Sequence, residues 1–108
     1  MTPNDFNKLL LIMQKEEDET LKTKGDEYTQ GSEDRLKNFK TIATELDINP
    51  LVVWYTYFKK HIDSIANYVK LNGKVESNES IASRIMDARN YLALGRALIE
   101  ENEDNLII

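Results

Sequence analysis

Apolar residues recur at the three-and-four spacing of amphipathic helices in four stretches of the chain. Phe6, Leu9, Leu10, Met13 and Leu21 give the first stretch a core face. It opens on Thr2-Pro3-Asn4-Asp5, an N-cap with proline at the first helical position and an acid at the third. It is expected to run to about Thr23 and give way to a loop holding Gly25 and Gly31. Ser32 then caps a second helix with the stripe Leu36, Phe39, Ile42, Ala43 and Leu46, and Asp47-Ile48-Asn49-Pro50 stops it. Asn49 and Pro50 repeat the cap logic for a third helix, Pro50 to about Asn72, ended by Gly73. The segment 52–58, VVWYTYF, has the composition of a strand, but helical spacing continues through Ile62, Ile65 and Val69 and no partner strand is available. The loop 74–78 leads into a fourth helix with Ile81, Ile85, Ala88, Leu92 and Ile99 on one line, ending near Glu101.

The expected fold is therefore all-α: a four-helix antiparallel bundle in a single domain, 1–108, with a short polar tail from about 102. Helices three and four are apolar over more than half their circumference, which predicts a homo-oligomer.

Composition narrows the chemistry. A chain of 108 residues buries roughly two thirds of its unfolded surface, so a core forms without cross-links. With no cysteine it has no disulfide, thiolate zinc site, iron–sulfur cluster or thiol nucleophile. A net charge of −5 argues against general nucleic-acid binding, which calls for a basic stripe. The N-terminus has no basic start, and the apolar run Leu9 to Met13 soon meets charge, so neither a signal peptide nor a membrane span is expected. A cytoplasmic location follows as the expectation.

Several polar residues fall inside the apolar arcs, where burial is costly without a partner. Glu17 lies between Met13 and Leu21, with Glu16 at the edge. Arg35 falls on the line of Phe39, Ile42 and Leu46, with Asn38 beside it. His61 is flanked by Trp54, Tyr57, Ile65 and Tyr68. In the fourth helix Arg84 and Asp87 interrupt a second stripe of Tyr91, Leu94 and Leu98, and Asn90 lies beside Asp87. One reading makes these interior ion pairs that set register, with His61 a hydrogen-bonded core residue. The other brings carboxylates and cations together in one polar pocket suited to a metal-bound phosphate ligand. The segment 24–31 lacks the arrangement of a phosphate-binding loop. Ser64, His61 and Asp63 do not make a triad, because Asp63 lies on a different helix face from His61.

Taken together, KGDEY at 24–28, DRLKNF at 34–39, KHIDSI at 60–65 and ESIASRIMDARNYL at 79–92 resemble small prophage-encoded helical proteins of unassigned function. More remotely, the helix order and the final Asp87, Asn90 and Tyr91 are similar to the MazG-like all-α nucleoside triphosphate pyrophosphohydrolases. That resemblance implies Mg²⁺ held by helix carboxylates and cleavage between the α- and β-phosphates. It implies Glu17, Glu27 and Asp87 as metal ligands, with Glu17 and Asp87 catalytic, and Lys24, Arg35, His61 and Arg84 placed to meet phosphate. The chain departs from that pattern by carrying Asn90 where an acid is expected. Two functions are thus expected: a Mg²⁺-dependent nucleotide phosphohydrolase of phage type, or a non-catalytic homo-oligomer that binds a host or phage protein.

Overall fold

A computed structural model describes residues 1–29, 33–74 and 80–102, and among these every regular element is a helix. They are α1 (Pro3–Thr29), α2 (Lys37–Leu46), α3 (Pro50–Lys70) and α4 (Ile81–Asn102). Gly31, Ser32 with its expected capping role, the loop 75–79 and the tail 103–108 lie outside the described residues.

The helix starts follow local chemistry. Thr2 Oγ1 accepts a hydrogen bond from the Asp5 amide at 3.1 Å, satisfying one of the amides that a helix start leaves open. Asn49 Oδ1 accepts from the Leu51 amide at 2.9 Å with Pro50 at the first position, and Ser80 Oγ accepts from the Ser83 amide at 3.1 Å. The segment 52–58 lies within α3 and is helical throughout. α2 closes in a Schellman arrangement: Asp47 is left-handed (φ 54°, ψ 51°), and the Ile48 amide donates to the Ala43 carbonyl at 3.0 Å. Beyond α3, Asn72 and Gly73 are both left-handed, and the Gly73 amide reaches back to the Tyr68 carbonyl at 2.9 Å.

Two expected boundaries are corrected. α1 does not end near Thr23; it continues through Gly25 to Thr29. Gly25 is buried there because the Arg35 side chain packs across it, so tertiary contact outweighs the low helix propensity of glycine. Arg35 does not ride on α2. It sits in a turn before the helix, where Asp34 Oδ1 accepts from the Leu36 amide at 3.0 Å.

The core is small: Leu36, Phe39, Ala43, Val53 and Leu98, with Trp54, Tyr57, Tyr91 and Leu94 packed against it. α3 and α4 form the principal pair, α2 packs on α3, and α1 lies against α4 and α2. Trp54 meets Gly95 and Tyr91, while His61 meets Tyr91 and Asp87, so α3 and α4 run in opposite senses. The packing of the four helices is that of a bundle. It also corrects the expected core faces of α1 and α4. Phe6 and Leu9 are largely exposed, and so are Ile85, Leu92 and Ile99. α4 turns Met86, Ala88, Asn90, Gly95 and Leu98 inward instead. Small residues win on that side because Trp54 of α3 lies directly against Gly95, closer than any side chain would allow.

Candidate functional site

All four helices, together with the turn before α2, contribute to one polar cavity of about 230 Å³. α1 supplies Lys24, the turn supplies Arg35, α2 supplies Asn38, α3 supplies His61, and α4 supplies Asp87, Asn90 and Tyr91, with Phe39, Leu21 and Leu94 as apolar wall. A wider cavity of about 540 Å³ between α1 and α4, lined by Glu16, Glu19 and Ser83 among others, shares Thr20, Lys24 and Asp87 with it.

The first cavity holds polar groups that the fold itself leaves unanswered. Arg35 Nη1 is buried and has no hydrogen-bond partner, and the same is true of Asn38 Oδ1 and Asn90 Oδ1. A buried donor or acceptor left in this state costs about 1–3 kcal/mol. A donor from a guanidinium and two amide acceptors, all around one space, call for an occupant that both accepts and donates.

Arg35 is held in place from two sides. Its side chain lies against Gly25 of α1, where an added Cβ would fall 2.8 Å from Nε. The neighbouring Asp34 anchors the turn through the Leu36 amide and an ion pair with Lys40 at 2.7 Å. Lys40 also pairs with Glu101, tying the turn and α2 to the end of α4. These contacts lower the Asp34 pKa, chiefly through the hydrogen bond from Lys40, and raise that of Lys40, chiefly through Asp34 and then Glu101.

His61 and Asp87 face each other with Nδ1 and Oδ2 4.0 Å apart, each about one quarter exposed. The separation is too long for a hydrogen bond but leaves the two within Coulombic reach when the imidazole is protonated. The His61 ring packs on Tyr91, with centroids 4.8 Å apart.

Of the residues singled out from sequence, Lys24, Arg35, His61 and Asp87 come together in this cavity. Glu17 does not join them. It points inward as its helical phase requires, but its carboxylate pairs with Arg89 of α4 at 2.8 Å. Glu27 is exposed on α1, and Arg84 lines neither cavity. Among the described residues no group of three His, Asp or Glu side chains is arranged to hold a metal ion. Gly25 has the local character of a loop signal, although its place four residues after Leu21 puts it on the inner face of α1. Also among the described residues, no helix is long and apolar enough to cross a membrane.

No protein-family model matches the chain, and no curated protein or solved structure matches it either.

Proposed function

We propose that this protein binds a phosphorylated small molecule, with a nucleoside triphosphate as the leading class, in the cavity between the four helices. The observation that carries the reading is the buried Arg35 Nη1 without a partner, in a wall shared with Lys24 and His61. In a chain of net charge −5, three nitrogen-bearing side chains that line one cavity beside a single carboxylate, Asp87, favour an anionic ligand. Phosphate oxygens would answer the guanidinium, while hydroxyl or amino groups of a nucleoside would answer the amide oxygens of Asn38 and Asn90.

Magnesium fits this site as a companion of the ligand. Mg²⁺ is commonly held by one or two carboxylates together with substrate phosphates. Asp87 is the cavity carboxylate that would hold it, since Glu17 is engaged by Arg89. Bound in that way the ion would supply neutralisation of phosphate charge and, for a pyrophosphohydrolase, activation of water. The engagement of Glu17 favours binding over hydrolysis as the primary role. The alternative function, a non-catalytic oligomer that docks on another protein, predicts an indifferent cavity.

Thermal unfolding in the presence of nucleoside triphosphates with and without Mg²⁺, and of inorganic pyrophosphate, separates the two readings, because a ligand of the native state raises stability by mass action. The expected result is a shift that disappears in Arg35→Ala and loses its Mg²⁺ dependence in Asp87→Asn. A flat response to the whole panel overturns the proposal.

A further inference from the structure

Among the described residues Asn90 is the one polar side chain that is buried, only 6% exposed. It stands within α4 and lines the cavity, and its Oδ1 has no hydrogen-bond partner. Two local preferences are set aside at this position. Asparagine favours a helix interior less than leucine does, and a buried amide oxygen without a donor is costly where leucine, of nearly the same shape, is not. Such exceptions belong to strained or functional sites. Strain does not account for this one, because no residue of α4 has a left-handed backbone. Asn38 Oδ1 repeats the situation from α2. Two cavity-lining residues on different helices thus each hold an acceptor that receives no donor from the protein.

We infer that Asn90, together with Asn38, makes the site selective for the ribose hydroxyls of a nucleoside triphosphate and indifferent to its base. This selectivity rests on the phosphorylated-ligand reading above and names the part of the ligand that the two amides meet. Size supports it. At about 230 Å³ the cavity falls below the range of roughly 300–1,000 Å³ in which pockets enclose a whole drug-sized ligand, so it takes in part of a nucleotide. Arg35 Nη1 in the same wall claims phosphate oxygens, and the donors that reach the amides therefore lie close to the phosphates. Phosphate oxygens at neutral pH are largely deprotonated and only accept. Amino groups of a base stand at its far edge, and uracil has none. The hydroxyls of the phosphate-bearing sugar are donors, lie nearest, and are common to all four ribonucleotides. An analogue that keeps the phosphates but lacks those hydroxyls leaves buried amide oxygens unanswered, and a site built this way rejects it.

Titration calorimetry on the full chain with Mg²⁺ present compares ATP, UTP and the 2′,3′-dideoxy form of ATP, which has the charge and base of ATP but neither hydroxyl. ATP and UTP are expected to bind within about threefold of each other, and dideoxy-ATP at least about tenfold more weakly than ATP. In Asn90→Leu the ratio of ATP to dideoxy-ATP affinity is expected to fall at least about threefold through loss of ATP affinity, while the urea midpoint stays equal to or above that of the unaltered protein. The comparison of the three ligands on the unaltered protein needs no variant and serves if Asn90→Leu does not fold. Equal affinity for ATP and dideoxy-ATP overturns the selectivity and leaves the proposed function standing, as does a tenfold preference for one base or an Asn90→Leu protein with an unchanged ratio. Failure of all three ligands to bind overturns both.

Discussion

Arg35 occupies space that exists only because residue 25 is glycine: a Cβ on α1 at that position would stand 2.8 Å from Nε and 3.1 Å from Cδ of the arginine. α1 thus gives up helix propensity in its last third and gains room for a guanidinium at the cavity wall. In Gly25→Ala the two effects separate. Alanine favours the helix by about 1 kcal/mol, which offsets the displacement of Arg35, so unfolding free energy is expected to change by less than about 1 kcal/mol. Affinity for a magnesium–nucleotide complex, measured by titration calorimetry, is expected to fall at least tenfold. Unchanged affinity would remove Arg35 from the binding site.

Gly95 has the opposite character. There the neighbour is the Trp54 ring, which lies across the position of an added Cβ. A rigid ring stacked on Phe58 at 5.1 Å cannot bend aside as an arginine can. Gly95→Ala is expected to destabilise the fold by about 1–3 kcal/mol, read as a lower urea midpoint in circular dichroism. A neutral substitution would show that the α3–α4 contact is looser than described.

The pair Glu17 and Arg89, each less than one third exposed, decides between a structural and a metal-binding role for the glutamate. Glu17→Gln is expected to cost about 1 kcal/mol of stability, the scale of a partly exposed ion pair. Its response to Mg²⁺ and nucleotide is expected to match that of the unaltered protein. Loss of the Mg²⁺ response with stability intact would return Glu17 to the metal site.

Acid should loosen the turn that carries Arg35. The folded Asp34 carboxyl has its pKa lowered from 3.8, mainly by the hydrogen bond from Lys40, so the unfolded chain binds that proton more tightly. The stabilisation is complete above the unfolded value and fades as pH falls below it. Lys40, raised from 10.5, contributes below that pH and ceases to contribute as pH rises through its higher folded value. Asp34→Asn is expected to lower stability at neutral pH and to flatten the acid limb of the stability profile below about pH 4. An acid limb identical in both proteins would assign the loss to other carboxylates.

The caps at Thr2, Asn49 and the turn at Asp47 were legible because they rest on neighbours within five residues. The helical state of 52–58 was legible from spacing that outlasts the aromatic cluster. Gly25 was misleading, since glycine marks a loop by local propensity and only the distant Arg35 gives it a place inside a helix. Helical phase correctly turned Glu17 inward but contains nothing about Arg89, seventy-two positions away by their numbers. The line Ile85, Leu92 and Ile99 was visible as a line, yet α4 has apolar residues on more than one side, and periodicity alone does not say which side meets α3. Arg35, His61 and Asp87 were legible as polar residues inside apolar arcs, together with Glu17 and Arg84, which lie elsewhere, whereas Lys24 came only from the family resemblance; the unpartnered atoms at the cavity emerge only from the packed structure.

Trp54 is the chain's single tryptophan, and its indole nitrogen donates to the Tyr91 carbonyl at 2.6 Å, in the same residue whose ring helps to enclose the cavity. The chain therefore carries a built-in fluorophore coupled to the cavity wall through one backbone oxygen. Its emission requires no label, comes from one environment, and reports from the α3–α4 seam, so a ligand that shifts Tyr91 would be visible as a change of intensity or wavelength before any helix unwinds.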